Sequence, residues 1–230
     1  MTPFFERLLL HEDGAAPGPW NMALDQAWLE LAGRPVLRVY GWTEPTVTLG
    51  YAQSLAKLRD SLPTWPVVRR WTGGGVVLHQ GDATYSVIVP ATDDWAQTSA
   101  LESYQRIHGS LADALCEHGV AGCRLALPED VVEAPFCFVA PAVHDVIRGR
   151  VKVAGAGQRR GRLGLLHQGS VQQVLPPEGF WRSWAARLAR EVEGVAVAPP
   201  EVLARARELV AGRYDLPEWL EERDDRLPKR

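Results

Sequence analysis

The sequence predicts an α+β fold, with a central mixed sheet flanked by helices. Three observations lead there. Five runs rich in β-branched and aromatic residues fall between Val36 and Val89, separated by turn residues. Segments of helical periodicity stand before and after that region. The two kinds of segment do not alternate regularly, which argues against a doubly wound parallel sheet.

The elements are expected in this order. Asp13 to Pro19 is rich in Gly, Ala and Pro and reads as a loop. Asn21 then reads as the N-cap of a helix to about Ala32, with Leu24, Ala27, Trp28 and Leu31 at helical spacing and Gly33 stopping it. Strands follow at Val36–Trp42 and Thr46–Tyr51 around the turn Thr43-Glu44-Pro45, then at Val67–Thr72, Val76–His79 and Ala83–Val89. Ser99 with Glu102 three residues on is a capping box. It opens a helix that carries Leu101, Tyr104, Ile107, Leu111 and Leu115 on one face and stops at Gly119. A second strand block covers Val143 to Val174, with turns at Arg148-Gly149 and Gly161. Two helices close the chain, one through Trp181, Trp184, Leu188 and Val192, the other through Leu203, Ala206 and Val210. The charged stretch from Asp215 is expected to be loose, giving one domain over 1–214 and a tail over 215–230.

Composition sets the class. At 230 residues and 46% hydrophobic content, the chain can bury one sizeable core, with nine tryptophans to fill it. A net charge of −3 offers no overall attraction to nucleic acid or an anionic membrane, so neither is expected as a partner. The three cysteines, Cys116, Cys123 and Cys137, form no C-x-x-C pair. That argues against a disulfide framework and a zinc site, and fits a reducing cytoplasm. Met1 to His11 is too short and too charged for a signal peptide, and no apolar run approaches a membrane span.

Residues 69–90 read RRWTGGGVVLHQGDATYSVIVP. Three consecutive glycines are costly in backbone entropy, and inside a strand block they mark close approach of the backbone to something else. Gly73, Gly74 and Gly75 could turn N–H groups toward a ligand oxygen, with Arg69 and Arg70 supplying positive charge and His79 just beyond. A tight turn with two solvated arginines is the plainer alternative. The segment is neither a phosphate loop nor a dinucleotide fingerprint.

Lys152 lies in R-V-K-V-A-G, followed by the small residues Ala154, Gly155, Ala156 and Gly157. An isolated lysine between valines usually faces solvent, but the small residues again suggest close packing. Cys137 lies in A-P-F-C-F-V-A-P, bracketed by prolines and therefore outside a helix. Cys116 and Cys123 read as structural, the second in the loop after the capped helix.

These segments together resemble the lipoate–protein ligase A family, from N-M-A-L-D at Asn21–Asp25 to about Gln173. P-V-L-R-V-Y-G-W-T-E-P-T-V-T-L-G-Y at Pro35–Tyr51 is similar to its early strand pair. R-R-x-T-G-G-G-x-V-x-H at Arg69–His79 resembles its acyl-binding loop, and K-V-A-G-x-x-Q-R at Lys152–Arg159 the segment of its active-site lysine. The resemblance implies a biotin/lipoate–protein ligase-like catalytic domain. It also implies transfer of a lipoyl or octanoyl group to a lysine of a lipoyl carrier domain, in a 2-oxoacid dehydrogenase subunit or a glycine cleavage H protein. Among its members, C-F at Cys137–Phe138 ahead of Lys152 is closest to the cysteine-dependent octanoyltransferases. Those take octanoate from acyl carrier protein through a thioester and need no cofactor. The alternatives are an ATP-dependent lipoate–protein ligase and a non-catalytic acyl-binding paralogue. Many ligases carry a C-terminal accessory domain, for which the charged end here looks too short.

On this resemblance Cys137 and Lys152 are the expected catalytic residues. The substrate site is expected to comprise Arg70, Trp71, Gly73, Gly74, Gly75, Val76, Val77, His79, Tyr85, Gly155, Ala156, His167 and Gly169, with Leu78 as a further candidate wall. The cluster Arg148, Arg150, Arg159, Arg160 and Arg162 is expected to steer an acidic carrier. Three departures stand out: Gln80 follows His79 in place of an acidic residue, the later motif reads His167-Gln168-Gly169-Ser170, and Cys137 is followed by Phe138-Val139-Ala140-Pro141 rather than acidic and serine residues.

Overall fold

A computed structural model describes residues 2–131 and 141–228. Its elements, in chain order, are β1 (Phe5–Ala16), α1 (Gly18–Leu31), β2 (Val36–Trp42), β3 (Thr46–Leu49), α2 (Leu55–Leu58), β4 (Val67–Arg69), β5 (Val77–His79) and β6 (Ala83–Pro90). There follow α3 (Ala100–Glu117), β7 (Cys123–Leu125), β8 (Val146–Arg148), β9 (Val151–Gly161), β10 (Gly164–Val171), α4 (Phe180–Leu188), β11 (Ala189–Gly194), α5 (Pro200–Leu209) and α6 (Pro217–Glu222). Eight strands form a sheet in the order β11-β1-β2-β6-β10-β9-β8-β7, and β4-β3-β5 form a small second sheet. β1 runs parallel to both β2 and β11, and the other pairings of the large sheet are antiparallel, so the expected mixed sheet is present.

Alternation along the strands builds two cores. Leu37, Tyr85, Val87 and Leu165 turn to one face, where Ile107 and Leu111 of α3 and Trp184 of α4 cover them. Val36, Ile88 and Leu166 turn to the other, under Leu24 and Trp28 of α1 and Val202 and Leu209 of α5. β6 and β10 are buried along both faces, as central strands must be. Among the described residues no helix is long and apolar enough to cross a membrane.

Several expectations need correction. The segment expected as a loop from Asp13 is the end of β1, which pairs with β2 again at Ala15↔Gly41 and Ala16↔Trp42 after a register shift that follows Glu12. Asn21 lies inside α1, which starts after Pro17 with a proline in its first turn. Its amide instead donates to Ala16 O and Gly41 O, at 3.1 and 2.9 Å. Val192 belongs to strand β11 rather than to the preceding helix, and Cys123 to strand β7 rather than a loop. The stretch after Asp215 contains α6, whose Trp219 is buried. Half of the capping box forms: Ser99 Oγ accepts from the Glu102 N–H at 3.2 Å, while the Glu102 carboxylate accepts from Arg106.

Candidate active site

Strand register lays down the floor of the site. Gly155 on β9 pairs with Ser170 on β10, Ser170 with Thr84 on β6, and Thr84 with Tyr40 on β2. Directly paired residues share a face, so these four make one row across the sheet, about 14 Å long at 4.8 Å per strand. All four line a cavity of about 320 Å³. Met22 of α1, Trp42, and the segment Gly74-Gly75-Val76-Val77 enclose it from above. Small residues stand at one end of the row and Tyr40 at the other.

Tyr40 is held rigidly. The N-M-A-L-D segment puts Asn21 and Asp25 one helical turn apart on α1. Together they grip the buried Arg38: its guanidinium donates to Asp25 Oδ1 at 2.8 Å and to Asn21 Oδ1 at 2.9 Å. Asp25 Oδ2 then accepts from Tyr40 Oη at 2.9 Å, Ser86 Oγ at 2.6 Å and Gln168 Nε2 at 2.8 Å. Burial, joined by the Asp25 carboxylate, pushes the Tyr40 phenol well above its ordinary range. Gln168 ties this network to the glycine loop by accepting from Thr72 Oγ1 at 2.9 Å.

The glycine loop is clasped between two other glycines. A Cβ on Gly50 would lie 1.9 Å from Gly74 O, and one on Gly157 would lie 2.2 Å from Gly73 O. Gly74 itself has φ +99°, a conformation only glycine adopts freely. The Gly73 N–H donates to Gln158 O at 3.1 Å, so it holds the loop to β9 and is not offered to a ligand. The two arginines are not solvated. Arg69 donates to Trp219 O and Leu220 O in the last turn of α6 and to Gly50 O, Tyr51 O and Gln53 O, fixing the C-terminal helix to the loop. Arg70 lines the cavity and donates to Thr48 O, Thr48 Oγ1, Gly73 O and Gly75 O; burial pulls its pKa down to about 10.

His79 forms a wall. Its Nδ1 lies 2.7 Å from Asp82 Oδ2 and its Nε2 3.0 Å from Thr48 Oγ1, while Trp42 stacks on the ring with centroids 4.0 Å apart. Burial lowers the His79 pKa against the pull of Asp82, which favours the neutral ring. Nδ1–H then donates to Asp82 and Nε2 accepts from Thr48, a tautomer assigned from the network. Burial raises the Asp82 pKa, but hydrogen bonds from His79, Ser170 and Thr84 outweigh it and hold the carboxyl below its usual value.

Lys152 lines the cavity at the Gly155 end of the row, its Nζ 2.8 Å from Oδ2 of the fully buried Asp145. Gly155 is what makes room: a Cβ there would meet Lys152 Cε at 2.4 Å.

The cavity therefore gathers Lys152, Arg70, Gly74, Gly75, Val76, Val77, His79, Gly155, Ala156 and Gly169 of the expected residues. Five others do not line it. Tyr85 and His167 turn to the opposite face, where both are buried, with ring centroids 6.0 Å apart. Tyr85 fills the space that a Cβ on Gly169 would need. Trp71 points toward Arg159 and Arg213, whose guanidinium carbons lie 4.6 and 5.5 Å from its ring centroid. Gly73 supports the loop from behind. Leu78 packs into the small core with Val47 and Leu49. Met22, Tyr40, Trp42, Thr84, Gln168 and Ser170 also line the cavity, although they were not among the expected site residues. Cys137 lies outside the described residues. Nor do these arginines form one cluster: Arg148 ends β8 and Arg150 precedes β9, while Arg159 lies over Trp71 near the other end of β9 and Arg160 donates to Ala96 O and Thr98 O.

A family model described as "Lipoyl protein ligase A/B catalytic domain" matches residues 17–177. A relative named octanoyltransferase LipM from Kyrpidia tusciae is 34% identical over 191 residues, 75% of this chain and 68% of that protein. One of the same name from Symbiobacterium thermophilum is 33% identical over 70% of this chain and 64% of its own length. One from Geobacillus kaustophilus is 31% identical over 84% of this chain and 78% of its own. The first two matches thus span only about two thirds of the relatives' lengths. Among solved structures, a lipoate-protein ligase A bound with ATP superposes with a TM-score of 0.67 at 20% identity, over 94% of this chain and 98% of that one. A bi-partite lipoate protein ligase from Thermoplasma acidophilum, described with its E2 lipoyl domain, gives 0.61 at 20% identity over 99% of both chains. These two likenesses establish the fold.

Proposed function

Because the chain belongs to the lipoyl protein ligase A/B catalytic-domain family, we propose that it is a cytoplasmic octanoyltransferase that moves octanoate from acyl carrier protein to a lysine of a lipoyl domain through a thioester on Cys137. The single observation behind this reading is Lys152, held by Asp145 at the Gly155 end of a cavity whose floor row ends at Tyr40. An extended octanoyl chain measures about 9 Å, its seven carbon–carbon bonds of about 1.5 Å each advancing about 1.3 Å along the zigzag. It fits the row between Gly155 and Tyr40 with its carbonyl beside Lys152. Its six methylenes would contribute on the order of 5 kcal/mol if fully buried.

Chemistry follows from that pose. The Cys137 thiolate attacks the carrier thioester; the new carbon–sulfur bond forms as the carrier thiolate leaves and takes a proton. The amine of the lipoyl-domain lysine then attacks the enzyme thioester, loses a proton, and expels the Cys137 thiolate. In both steps charge collects on the carbonyl oxygen, where the Lys152 ammonium stabilises it. The same cation favours the thiolate over the thiol. Cys137 precedes Pro141 by four residues, a reach of at most about 14 Å. The next residue, Ala142, donates its N–H at 2.7 Å to Asp145 Oδ2, the same oxygen that holds Lys152.

The test is reconstitution with octanoyl–acyl carrier protein and a lipoyl domain, without ATP. Octanoylation of the domain is the expected result. Modification only with ATP and free octanoate would replace this reading with a ligase.

A further inference from the structure

Building on the transferase reading, we propose that Tyr104 and Asp145 are positioning residues that set where the Lys152 ammonium stands, with Tyr104 acting on the lysine through the carboxylate. Tyr104 lies on α3, which covers the face of the sheet opposite the cavity. Its Oη reaches Asp145 Oδ1 at 2.5 Å and accepts the Ala156 N–H at 3.0 Å. The other carboxylate oxygen takes Lys152 Nζ at 2.8 Å and the Ala142 N–H at 2.7 Å. Asp145 is thus a hub between the helix, the lysine and the backbone at Ala142.

The placement of this hub is enforced. His144, the residue before it, has φ 70°, a left-handed conformation that costs a non-glycine residue. It is held there at both ends: its N–H donates to Ala126 O at 2.8 Å, and its carbonyl accepts from His108 Nδ1 at 2.7 Å. Asp145 is fully buried, so its charge is tolerable only while its partners remain. Burial, reinforced by the neighbouring carboxylate, raises the Tyr104 phenol well above its ordinary range, so it stays a donor to Asp145 at any working pH. Gly155 completes the arrangement by leaving the volume into which the lysine is drawn. A strained turn, a buried hydroxyl–carboxylate contact and a glycine gap all fix one side chain that is itself partly exposed to the cavity.

The experiment is a double-mutant cycle on single-turnover acyl transfer, using Tyr104→Phe, Lys152→Ala and the pair, with circular dichroism as the folding control. Tyr104→Phe is expected to lower the transfer rate about ten- to a hundred-fold, the worth of one hydrogen bond to a charged group. KM for the octanoyl carrier should stay near wild type. In the Lys152→Ala background the same change should cost nothing further, because there is no ammonium left to place. An equal loss in both backgrounds means a purely structural tyrosine and overturns the proposal. So does a wild-type rate in Tyr104→Phe, or an undiminished rate in Lys152→Ala. If Tyr104→Phe does not fold, the cycle is run with Asp145→Asn, which keeps the shape and removes the charge; the same outcomes decide. Failure of the transferase reading shows separately, as wild-type protein inactive without ATP, and the cycle is then read on the ATP-dependent transfer.

Discussion

Lys152 occupies the volume that a side chain on Gly155 would need: a Cβ there would lie 2.4 Å from Cε and 2.6 Å from Nζ of the lysine. The clashing atoms are the far end of a flexible chain, so the fold can accept the substitution by moving the lysine. Gly155→Ala is therefore expected to unfold within about 1 kcal/mol of wild type yet lose on the order of a hundred-fold in transfer rate, the scale of an ångström's misplacement at a reacting centre. Urea unfolding beside single-turnover transfer checks both halves. A stable variant with full activity would remove Lys152 from the chemistry.

Gly50 presents the opposite case, because the atom it would meet is backbone. A Cβ there falls 1.9 Å from Gly74 O, and the loop must move to admit it. Gly50→Ala is expected to cost about 1–3 kcal/mol, as overpacking does, and to weaken binding of an octanoyl ligand in calorimetry. Gly33→Ala, with nothing within 4 Å of the added atom, is the control and should stay within about 0.5 kcal/mol. Undiminished affinity in a folded Gly50→Ala protein would show that the loop does not cradle the acyl chain.

Tyr40 ends the row that begins at Gly155, so it should act as the stop for the acyl chain. Tyr40→Val is expected to raise kcat/KM for decanoyl relative to octanoyl thioesters by at least about tenfold, the worth of a methylene admitted to or refused by a pocket. The competing thioesters can be assayed in one mixture by mass spectrometry of the product. An unchanged ratio in the folded variant means that the chain lies elsewhere.

Two buried histidines set an acid limit. Burial drops His108 from an ordinary 6.5 to about 4, and burial also holds His167 well below its usual value. A group with a depressed folded pKa stabilises the fold above its unfolded pKa, and that stability is lost as pH falls toward the folded value. Between pH 6.5 and 4 the unfolded chain takes up a proton that His108 in the native state refuses, which removes about 3 kcal/mol at 1.4 kcal/mol per unit. Urea unfolding at several pH values should show this decline, and His108→Gln should flatten it. A slope unaltered in the variant would contradict the assignment.

Strand positions were legible because alternation and turn residues are local. The expected Val36–Trp42 is β2 residue for residue, and the capped helix begins where Ser99 and Glu102 place it. The end of β1 is not visible because Gly14, Ala15 and Ala16 carry no strand signal of their own; Ala15 and Ala16 pair with Gly41 and Trp42 of β2 past a register shift after Glu12. Asn21 looked like a cap because the residue type near a helix start is visible while its partners, Ala16 O, Gly41 O and Arg38, are set by the tertiary fold. The same limit explains the site. Lys152 was marked by the small residues after it, but Asp145 and Tyr104 were not, since nothing in their spacing shows that they meet. Tyr85 and His167 are expected in the site on the resemblance alone. The period of two along β6 and β10 turns them away from Thr84, Gln168 and Ser170, which do line the cavity.

The central claim is a covalent octanoyl–enzyme formed on Cys137 without ATP. Intact-mass analysis after incubation with octanoyl–acyl carrier protein tests it most directly. The expected result is a gain of one octanoyl group, released by neutral hydroxylamine as a thioester is, and absent from a folded Cys137→Ala variant. No adduct on the wild-type protein, with a lipoyl domain modified only when ATP and free octanoate are supplied, would contradict it.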